Sequence, residues 1–342
     1  MYWRGEPGHA TVERMRILVL GGTKFVGHAV AADAVRRGHE VVCAARGASG
    51  AVPDGATLVK VDRDQPDGLN PLLGKGFDAL VDIAPMSHSW VEHALGTLAD
   101  EIEHWTFVST ISVYSDTATL GQTADAPTLA PRAEHGDLDN RMVDPDLYGA
   151  IKVASENAVR NRLGERAFIP RPGLITGPGD LSDRFGYWPA RFARGGRVLV
   201  PEVGQLANYI DVRDFAAWIV DAAQRRLTGT LDAIGPAQPL PDLLAEIGEA
   251  VGVDHELVPV SPETLVAQGV SPWAGPKSLP LWLPETHLGM CAHDPEPALA
   301  AGLKVRPLAD AVAGALDHER ALGLDRERKA GLTPDEEAEV LG

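Results

Sequence analysis

Short apolar segments alternate with longer amphipathic segments through the first half of the chain. Each apolar segment is followed by turn residues, a pattern typical of buried strands. Because strands that alternate with helices form a parallel sheet covered on both faces, the pattern predicts a Rossmann-type doubly wound α/β domain. The predicted strands are residues 16–20, 40–45, 58–61, 79–84, 105–109 and 167–170. Of the three helices predicted in this half, the first ends at residue 37, and the other two span 91–101 and 148–163.

The later part of the chain is less regular. Residues 115–147 are rich in Asp, Pro, Thr and Gly, so we expect a functional lid or a mobile loop there. Thr333 followed by Pro334 predicts the start of a C-terminal helix. The predicted organisation begins with a disordered tail (1–14) and a cofactor domain (15–174). A helix at 208–225 and a strand at 229–235 are expected to return to the sheet of that domain, which therefore also includes 208–235. The remaining residues, 175–207 and 236–342, are predicted to form a smaller α/β substrate-binding domain.

Charge and composition narrow the classes of partner. The formal net charge of the 342 residues is −17, which disfavours nucleic acid as a partner. No apolar run approaches the roughly 20 residues that span a bilayer, and residues 1–14 lack the apolar core of a secretion signal. With only Cys43 and Cys291, no disulfide framework is expected. We therefore expect a cytoplasmic protein that acts on a small molecule, without a membrane partner; a homodimer stays open.

A glycine-rich segment follows the first predicted strand. Gly21-Gly22-Thr23-Lys24-Phe25-Val26-Gly27 leads directly into a helix. Strand, glycine turn and helix together present backbone N–H groups and a helix dipole to a pyrophosphate. Gly21 would allow the turn, and Gly27 would let helix and strand approach. The segment therefore predicts a dinucleotide-binding loop.

Two basic residues indicate which dinucleotide binds. NAD-specific domains carry an acid at the end of the second strand, where this chain has Ala45 followed by Arg46. Arg46 can bind a 2′-phosphate through charge-assisted hydrogen bonds, and Lys24 on the glycine loop can add a second cation. We expect NADP(H) to be preferred, with NAD(H) as the alternative.

Six motifs follow one another along the chain. They are the glycine loop, Asp62-Arg63, 109–114 (Ser-Thr-Ile-Ser-Val-Tyr), Tyr148-x-x-x-Lys152, Arg171-Pro172-Gly173, and 209–214 (Tyr-Ile-Asp-Val-Arg-Asp). In this order they resemble the extended short-chain dehydrogenase/reductase superfamily of the NAD(P)-dependent epimerase/dehydratase type, over about residues 15–236. The glycine loop itself is similar to that of a reductase-like bacterial branch of this superfamily.

The resemblance assigns roles toward the cofactor. It implies that Asp62 accepts from the adenine amino group with Arg63 near the ring. It also implies that the backbone at Pro172 and Gly173 meets the nicotinamide carboxamide. In shorter members, basic residues at the positions of Lys24 and Arg46 mark NADP(H) use. The expected cofactor contacts are Gly21, Thr23, Lys24, Phe25, Val26, Gly27, Arg46, Asp62, Arg63, Ile83, Ala84, Pro85, Tyr148, Lys152, Pro172 and Gly173.

Tyr148 and Lys152 are four residues apart and so lie on one face of a helix. A free phenol, with a pKa near 10, is a poor base at neutral pH, but a neighbouring ammonium and an oxidised nicotinamide favour the phenolate. Tyr148 is therefore the expected proton donor and acceptor, and Lys152 is also expected to bind the nicotinamide ribose. Thr110 is expected to hydrogen-bond the substrate oxygen, which completes the predicted catalytic set.

Three departures from the family pattern bear on the substrate. Sugar-nucleotide enzymes carry Asn at the position of Leu174, Arg at the position of Ala207 to hold a pyrophosphate, and in the 4,6-dehydratases an Asp-Glu pair at the position of Ile111-Ser112. These changes favour redox chemistry between a carbonyl and an alcohol on a smaller substrate. The remaining candidate cations for a pyrophosphate are Arg191, Arg194 and Arg197. The candidate substrate contacts are Met86, His88, Ser112 and Leu174, with Trp188, Trp273 and Trp282 as candidates for a roof.

Other functions stay open from the residues alone. The first is a nucleotide-sugar epimerase or dehydratase. The second is an RNA-binding or non-catalytic NADP-sensing protein on the same fold, although the acidic composition and the retained Tyr148/Lys152 pair favour an oxidoreductase. The histidines show no spacing that suggests a metal site.

Overall fold

A computed structural model describes residues 14–136, 144 and 146–342. The expected tail lies outside them except for Arg14. Strands occur in both the earlier and the later part of the chain, separated by segments that contain glycine and proline. The strands are Arg16–Leu20 (β1), Glu40–Ala45 (β2), Thr57–Lys60 (β3), Ala79–Asp82 (β4), His104–Phe107 (β5), Ala167–Pro172 (β6), Ile175–Thr176 (β7), Gly196–Pro201 (β8), Leu206–Ala207 (β9), Ile210–Asp211 (β10), Gly229–Ala233 (β11), Gln238–Pro239 (β12), His255–Val260 (β13), Ser271–Pro272 (β14), Gly275–Pro276 (β15), Ser278–Leu279 (β16) and Ala330–Gly331 (β17).

Helices follow most of the strands and begin at residues suited to helix N-termini. Ser87, Asp211, Ser261 and Thr333 each accept a backbone N–H of the first turn through their side chains. Thr333 forms a complete capping box with Glu336, as its sequence indicated. The helices are Phe25–Arg36 (α1), His88–Leu98 (α2), Leu147–Leu163 (α3), Tyr187–Phe192 (α4), Val212–Arg225 (α5), Leu240–Val251 (α6), Pro262–Ala267 (α7), Glu296–Ala300 (α8), Leu308–Leu322 (α9) and Pro334–Leu341 (α10).

Among the described residues, seven parallel strands form the central sheet, in the order β11-β6-β5-β4-β1-β2-β3. The strand order reverses beside β1, which pairs with β4 on one side and β2 on the other, as Leu18↔Leu80 and Leu18↔Val42 show. In open sheets of this kind ligands bind at the carboxyl ends of the strands beside such a reversal. The predicted Rossmann-type α/β class is confirmed.

Side chains of β1 alternate between two hydrophobic cores. Ile17 and Val19 pack with α1 and α5 on one face, whereas Leu18 and Leu20 pack with α2 and α3 on the other. A third core lies apart from the sheet, where β8 pairs in parallel with β13 and packs with α4, α6 and α9. The first core also contains Ala298 and Leu303, so part of the later chain packs against one face of the sheet.

Residues 115–136 are anchored at several points along their length. Leu129 N–H donates to Val113 O at 2.8 Å, Arg132 N–H donates to Ala150 O at 3.0 Å, and Gly136 N–H donates to Met86 O at 2.8 Å. Gly289 N–H donates to Thr117 O at 2.8 Å. Where the sequence suggested a lid or a mobile loop, this part links the sheet edge, α3 and the later chain. The rest of that prediction, residues 137–143 and 145, lies outside the described residues.

The starts of two helices differ from the sequence prediction in an informative way. The helix expected at residue 208 begins at Val212, after the short strand β10, because Asp211 caps it. The helix expected at residue 91 begins at His88, because Ser87 caps it. Within the described ranges, no helix combines the length and apolar character needed to cross a membrane.

Candidate active site

The glycine loop has the geometry expected of a phosphate cradle. Gly21 has φ of +102°, and a Cβ at Gly27 would lie 2.3 Å from Gly21 O, so both positions need glycine. Lys24 at the N-cap of α1 makes no side-chain cap hydrogen bond, and the first turn holds no acidic residue. The first-turn N–H groups of α1 and its dipole therefore suit a pyrophosphate, and these residues fit a dinucleotide.

Lys24 and Arg46 are exposed on neighbouring segments. Thr23 Oγ1 lies 3.1 Å from Ser49 Oγ, which brings the chain after β2 against the glycine loop. The two predicted cations thus belong to adjacent parts of one rim. Their role toward a 2′-phosphate stays a prediction.

Arg63 forms a buried ion pair that its sequence did not indicate. Its guanidinium donates to both carboxylate oxygens of Asp82, at 2.7 and 2.9 Å, and to Trp90 O at 2.8 Å. These bonds fasten the chain after β3 to the end of β4 and to α2. Asp62 is partly buried, and its Oδ1 accepts from Asp64 N–H at 3.1 Å. Contact of Asp62 and Arg63 with adenine remains a prediction.

Lys152 lies at the carboxyl edge of the sheet. Its Nζ donates to Ala84 O at 2.6 Å and to Val108 O at 2.7 Å, beyond the ends of β4 and β5. The same Nζ lies 6.0 Å from the centroid of the Tyr148 ring, which is partly buried. A buried ammonium with backbone acceptors is held in one position, so α3 is fixed with Lys152 against Ala84 at the strand ends and with Tyr148 one turn away.

Thr110 begins a short turn that packs against the start of α3. Its Oγ1 accepts from Ser112 N–H and donates to Ser112 Oγ, both at 3.2 Å. A Cβ at Gly149 would lie 1.9 Å from Ser112 O, so only glycine allows α3 to approach this turn. Because Gly149 follows Tyr148, this approach brings the start of α3 against the turn that holds Thr110 and Ser112. Sequence reasoning missed Gly149.

The other candidate substrate residues differ in accessibility. Met86 is buried, and His88 is partly buried with Nε2 3.3 Å from Glu92 Oε1. Leu174 packs its side chain into the third core, while Gly173 at the end of β6 remains partly exposed. Among these residues, Gly173 and His88 offer more surface to a ligand than Met86 and Leu174 do. Direct substrate contact is untested for all of them.

A buried polar network supports the catalytic elements, and sequence reasoning missed it. Glu156 on α3 accepts from Ser109 Oγ at 2.5 Å and from the Arg171 guanidinium at 2.9 and 2.7 Å. Ser109 precedes Thr110, and Glu156 lies one turn after Lys152. The network therefore fixes the end of β5 against α3. The sequence contained one indication of this role. Glu156 follows Lys152 by four residues and therefore shares a helix face with Tyr148 and Lys152.

Arg171 extends this network toward the later chain. It donates to Tyr114 Oη at 2.9 Å, Tyr114 donates to Asp232, and His293 Nδ1 lies 2.9 Å from Asp232 Oδ2. Burial, and the adjacent Asp232 carboxylate, raise the pKa of Tyr114 despite the opposing charge of Arg171, so this phenol stays protonated. Tyr114 is thus a structural phenol.

Two expectations about the later chain change: the tryptophan roof over the substrate, and the arginines offered as cations for a pyrophosphate. Trp188 and Trp282 pack inside the third core instead of forming a roof, and Trp188 Nε1 donates to Pro280 O at 3.0 Å. Trp273 is partly buried, with the Arg184 guanidinium 5.0 Å from its ring centroid. Arg191 is buried in an ion pair with Glu337 of α10, and Arg194 lies 3.8 Å from the same carboxylate.

The fold and site define an NAD(P)-dependent enzyme with a Rossmann-type sheet. The sequence profile of the NAD dependent epimerase/dehydratase family matches residues 17–232, and the chain belongs to this family. The predicted superfamily is therefore confirmed, and a general oxidoreductase or epimerase role follows.

Individual relatives include a reductase and epimerases. The chain is 27% identical over 263 residues to the 2'-dehydrokanamycin reductase of Streptomyces kanamyceticus, covering 75% of this chain and 72% of the relative. It is similar in fold to a UDP-glucose-4-epimerase from Stenotrophomonas maltophila with bound NAD and formylated UDP-arabinopyranose (TM-score 0.66, 18% identity, 90% and 99% of the two chains). It is also similar to the Bordetella bronchiseptica enzyme WbmH in complex with NAD+ (TM-score 0.64, 18% identity, 91% and 100%).

Proposed function

We propose that this protein catalyses NADP(H)-dependent hydride transfer between the nicotinamide and a carbonyl or alcohol group of a small hydroxylated molecule, with Tyr148 as acid and base. The observation that carries the proposal is the position of the Lys152 ammonium, bonded to Ala84 O and Val108 O and 6.0 Å from the Tyr148 ring centroid. This ammonium lies at the strand ends next to the glycine loop, and in this fold cofactor and substrate meet at that edge of the sheet.

Each residue has a defined task in reduction. When bound, the reduced cofactor supplies the hydride. Tyr148 Oη donates a proton to the carbonyl oxygen of the substrate, and in the reverse direction it accepts the hydroxyl proton. The Lys152 ammonium stabilises the resulting phenolate, and Thr110 Oγ1 donates to the substrate oxygen as negative charge develops there. Turning that hydroxyl to the substrate requires only that it leave Ser112 Oγ.

The cofactor preference is proposed from charge. Lys24 and Arg46 are exposed on adjacent segments, and the second strand ends at Ala45 without a carboxylate. A 2′-phosphate gains two cationic partners there and meets no repulsion from that position.

The proposed substrate is not a nucleotide diphosphate sugar. Ala207 stands where the sugar-nucleotide enzymes carry arginine. Of the other candidate cations, Arg191 is occupied by Glu337, Gly195 O and Arg197 O, and Arg194 lies beside the same Glu337 carboxylate. Only Arg197 is exposed among these three, and a pyrophosphate enclosed with so few cations would be destabilised. The match to a 2'-dehydrokanamycin reductase supports reduction as the reaction.

The test is a panel of ketones and alcohols assayed with NADPH and NADP+ at 340 nm. We expect oxidation of NADPH by at least one hydroxylated ketone and slower oxidation of NADH. Calorimetric titration of the NADP+ complex with UDP- and dTDP-sugars is the companion measurement. Micromolar binding of either sugar nucleotide would overturn the substrate assignment and favour the epimerase alternative.

A further inference from the structure

Asn208 is a buried polar residue between β9 and β10. Its side chain is 2% exposed, and its backbone N–H donates to the Cys291 sulfur. It follows Ala207, the position at which the pyrophosphate-binding arginine is missing. Asn208 therefore lies where the end of the sheet region meets the later part of the chain.

The amide of Asn208 has unsatisfied hydrogen-bonding capacity on both atoms. Neither Oδ1 nor Nδ2 has a hydrogen-bond partner among the residues that the structure describes. Buried side-chain amides are nearly always paired, because leaving them unpaired costs free energy. An amide that is unpaired at both ends points to a ligand that pairs with it.

The surroundings of the amide place that ligand at the candidate active site. A Cβ at Gly173 would lie 3.6 Å from Asn208 Oδ1 and also 3.6 Å from Ile111 Cδ1. Gly173 is the predicted neighbour of the nicotinamide, and Ile111 follows the predicted catalytic Thr110. The amide thus lies between the predicted neighbour of the nicotinamide and the turn that follows Thr110.

The chemistry of the amide restricts the ligand. A carboxylate can satisfy only Nδ2 and an ammonium only Oδ1, whereas a hydroxyl both donates and accepts. The neighbouring Ile111 and Ile234 side chains are apolar and favour a neutral group. The carboxamide of the nicotinamide shares this donor-and-acceptor chemistry and is the competing source.

We propose that Asn208 is a specificity-determining residue that holds a hydroxyl group of the carbonyl substrate, at a position other than the reacting oxygen. This inference rests on the proposed function. It explains why a buried, neutral side chain that can both donate and accept hydrogen bonds, Asn208, follows Ala207. It also selects hydroxylated ketones over their deoxy analogues.

The experiment uses matched ketones, 2-hydroxycyclohexanone and cyclohexanone, with NADPH. We expect wild type to favour the hydroxyketone in kcat/KM by at least about tenfold, because a site built to pair with a hydroxyl disfavours the analogue that lacks it. Asn208→Leu should reduce this ratio to about one and leave the Kd for NADP+ within twofold of wild type. Asn208→Ala, which also lacks a donor and an acceptor, serves if the leucine variant does not fold, and the exposed Asn161→Leu is the matched control.

Each other outcome has a definite meaning. A preserved preference in Asn208→Leu would overturn the proposal. A tenfold or greater rise in the Kd for NADP+ would assign Asn208 to the cofactor carboxamide instead. If neither ketone is turned over, calorimetry of the NADP+ complex with trans-1,2-cyclohexanediol and cyclohexanol tests Asn208 independently of activity. Equal affinity for the two alcohols would also contradict it.

Discussion

Ser109 Oγ donates to Glu156 Oε1 at 2.5 Å and so joins the end of β5 to the middle of α3. Thr110 and Lys152, whose catalytic roles are predicted, lie on the two segments that this bond connects: the chain just after β5, and α3. Arg171 pairs with the same carboxylate from β6. The relative position of Thr110 and Lys152, the proposed catalytic groups, therefore depends on Glu156, which has no predicted contact to substrate or cofactor.

Glu156→Gln should lower the free energy of unfolding by about 3–5 kcal/mol, the cost of breaking a buried ion pair on one side. Arg171 would retain its buried charge without the matching carboxylate. Urea denaturation of the variant checks this, with the exposed Glu165→Gln as the control. A loss below about 1 kcal/mol would show that the network contributes little to stability.

Glu156 also makes stability depend on pH. Burial raises the pKa of Glu156, but hydrogen bonds and charge from Arg171, with Arg160 and Ser109, outweigh burial and hold the pKa below its usual value. A carboxyl with a depressed pKa stabilises the fold above its unfolded pKa of about 4.3, and this stabilisation is lost as pH falls through the folded pKa. The difference between wild type and Glu156→Gln should therefore shrink below about pH 4. A difference that stays constant from pH 7 to pH 3 would contradict this.

The strands and the local motifs were predictable because they depend on neighbouring residues. The bounds of β1 and β2 match the predictions, and the glycine loop and the Thr333 cap follow from short patterns. The prediction for residues 208–211 is wrong because the helix begins only after the short strand β10, where the Asp211 side chain caps α5.

The buried polar contacts were not predictable, because their partners are distant in sequence. A glutamate in a helix is usually solvated, and nothing local places Glu156 against Ser109, 47 residues earlier. Arg63 with Asp82, and Arg191 with Glu337, are further examples. Only the packed fold shows which charges are paired and which, such as Arg46, remain exposed.

Gly27→Ala should destabilise the protein by about 1–3 kcal/mol and weaken NADP(H) binding at least tenfold, because the added methyl would meet Gly21 O at 2.3 Å. Gly96→Ala on the exposed face of α2, where a Cβ meets no atom within 4 Å, should instead stabilise by about 0.5–1 kcal/mol. Urea denaturation and calorimetry of both variants test this. Equal behaviour of the two would show that the close approach at Gly27 is unimportant.

Arg46→Ala should weaken NADPH binding by at least about 1.5 kcal/mol, or roughly tenfold in Kd, and leave NADH binding unchanged. Only NADPH carries the 2′-phosphate that the guanidinium would bind. Arg36→Ala is the control, because Arg36 lies in the last turn of α1, at the end away from the glycine loop. Equal Kd values of wild type for the two cofactors, or an equal loss for both in the variant, would refute the cofactor assignment.

The central claim is that Tyr148 transfers the proton, and the most direct measurement is the turnover of Tyr148→Phe on a ketone from the panel. The substitution keeps the ring and its packing and removes only the hydroxyl. We predict a fall in kcat of at least about a hundredfold, with the Kd for NADPH and the thermal midpoint near those of wild type. A variant that retained a kcat near that of wild type would show that Tyr148 is structural and that the mechanism is wrong.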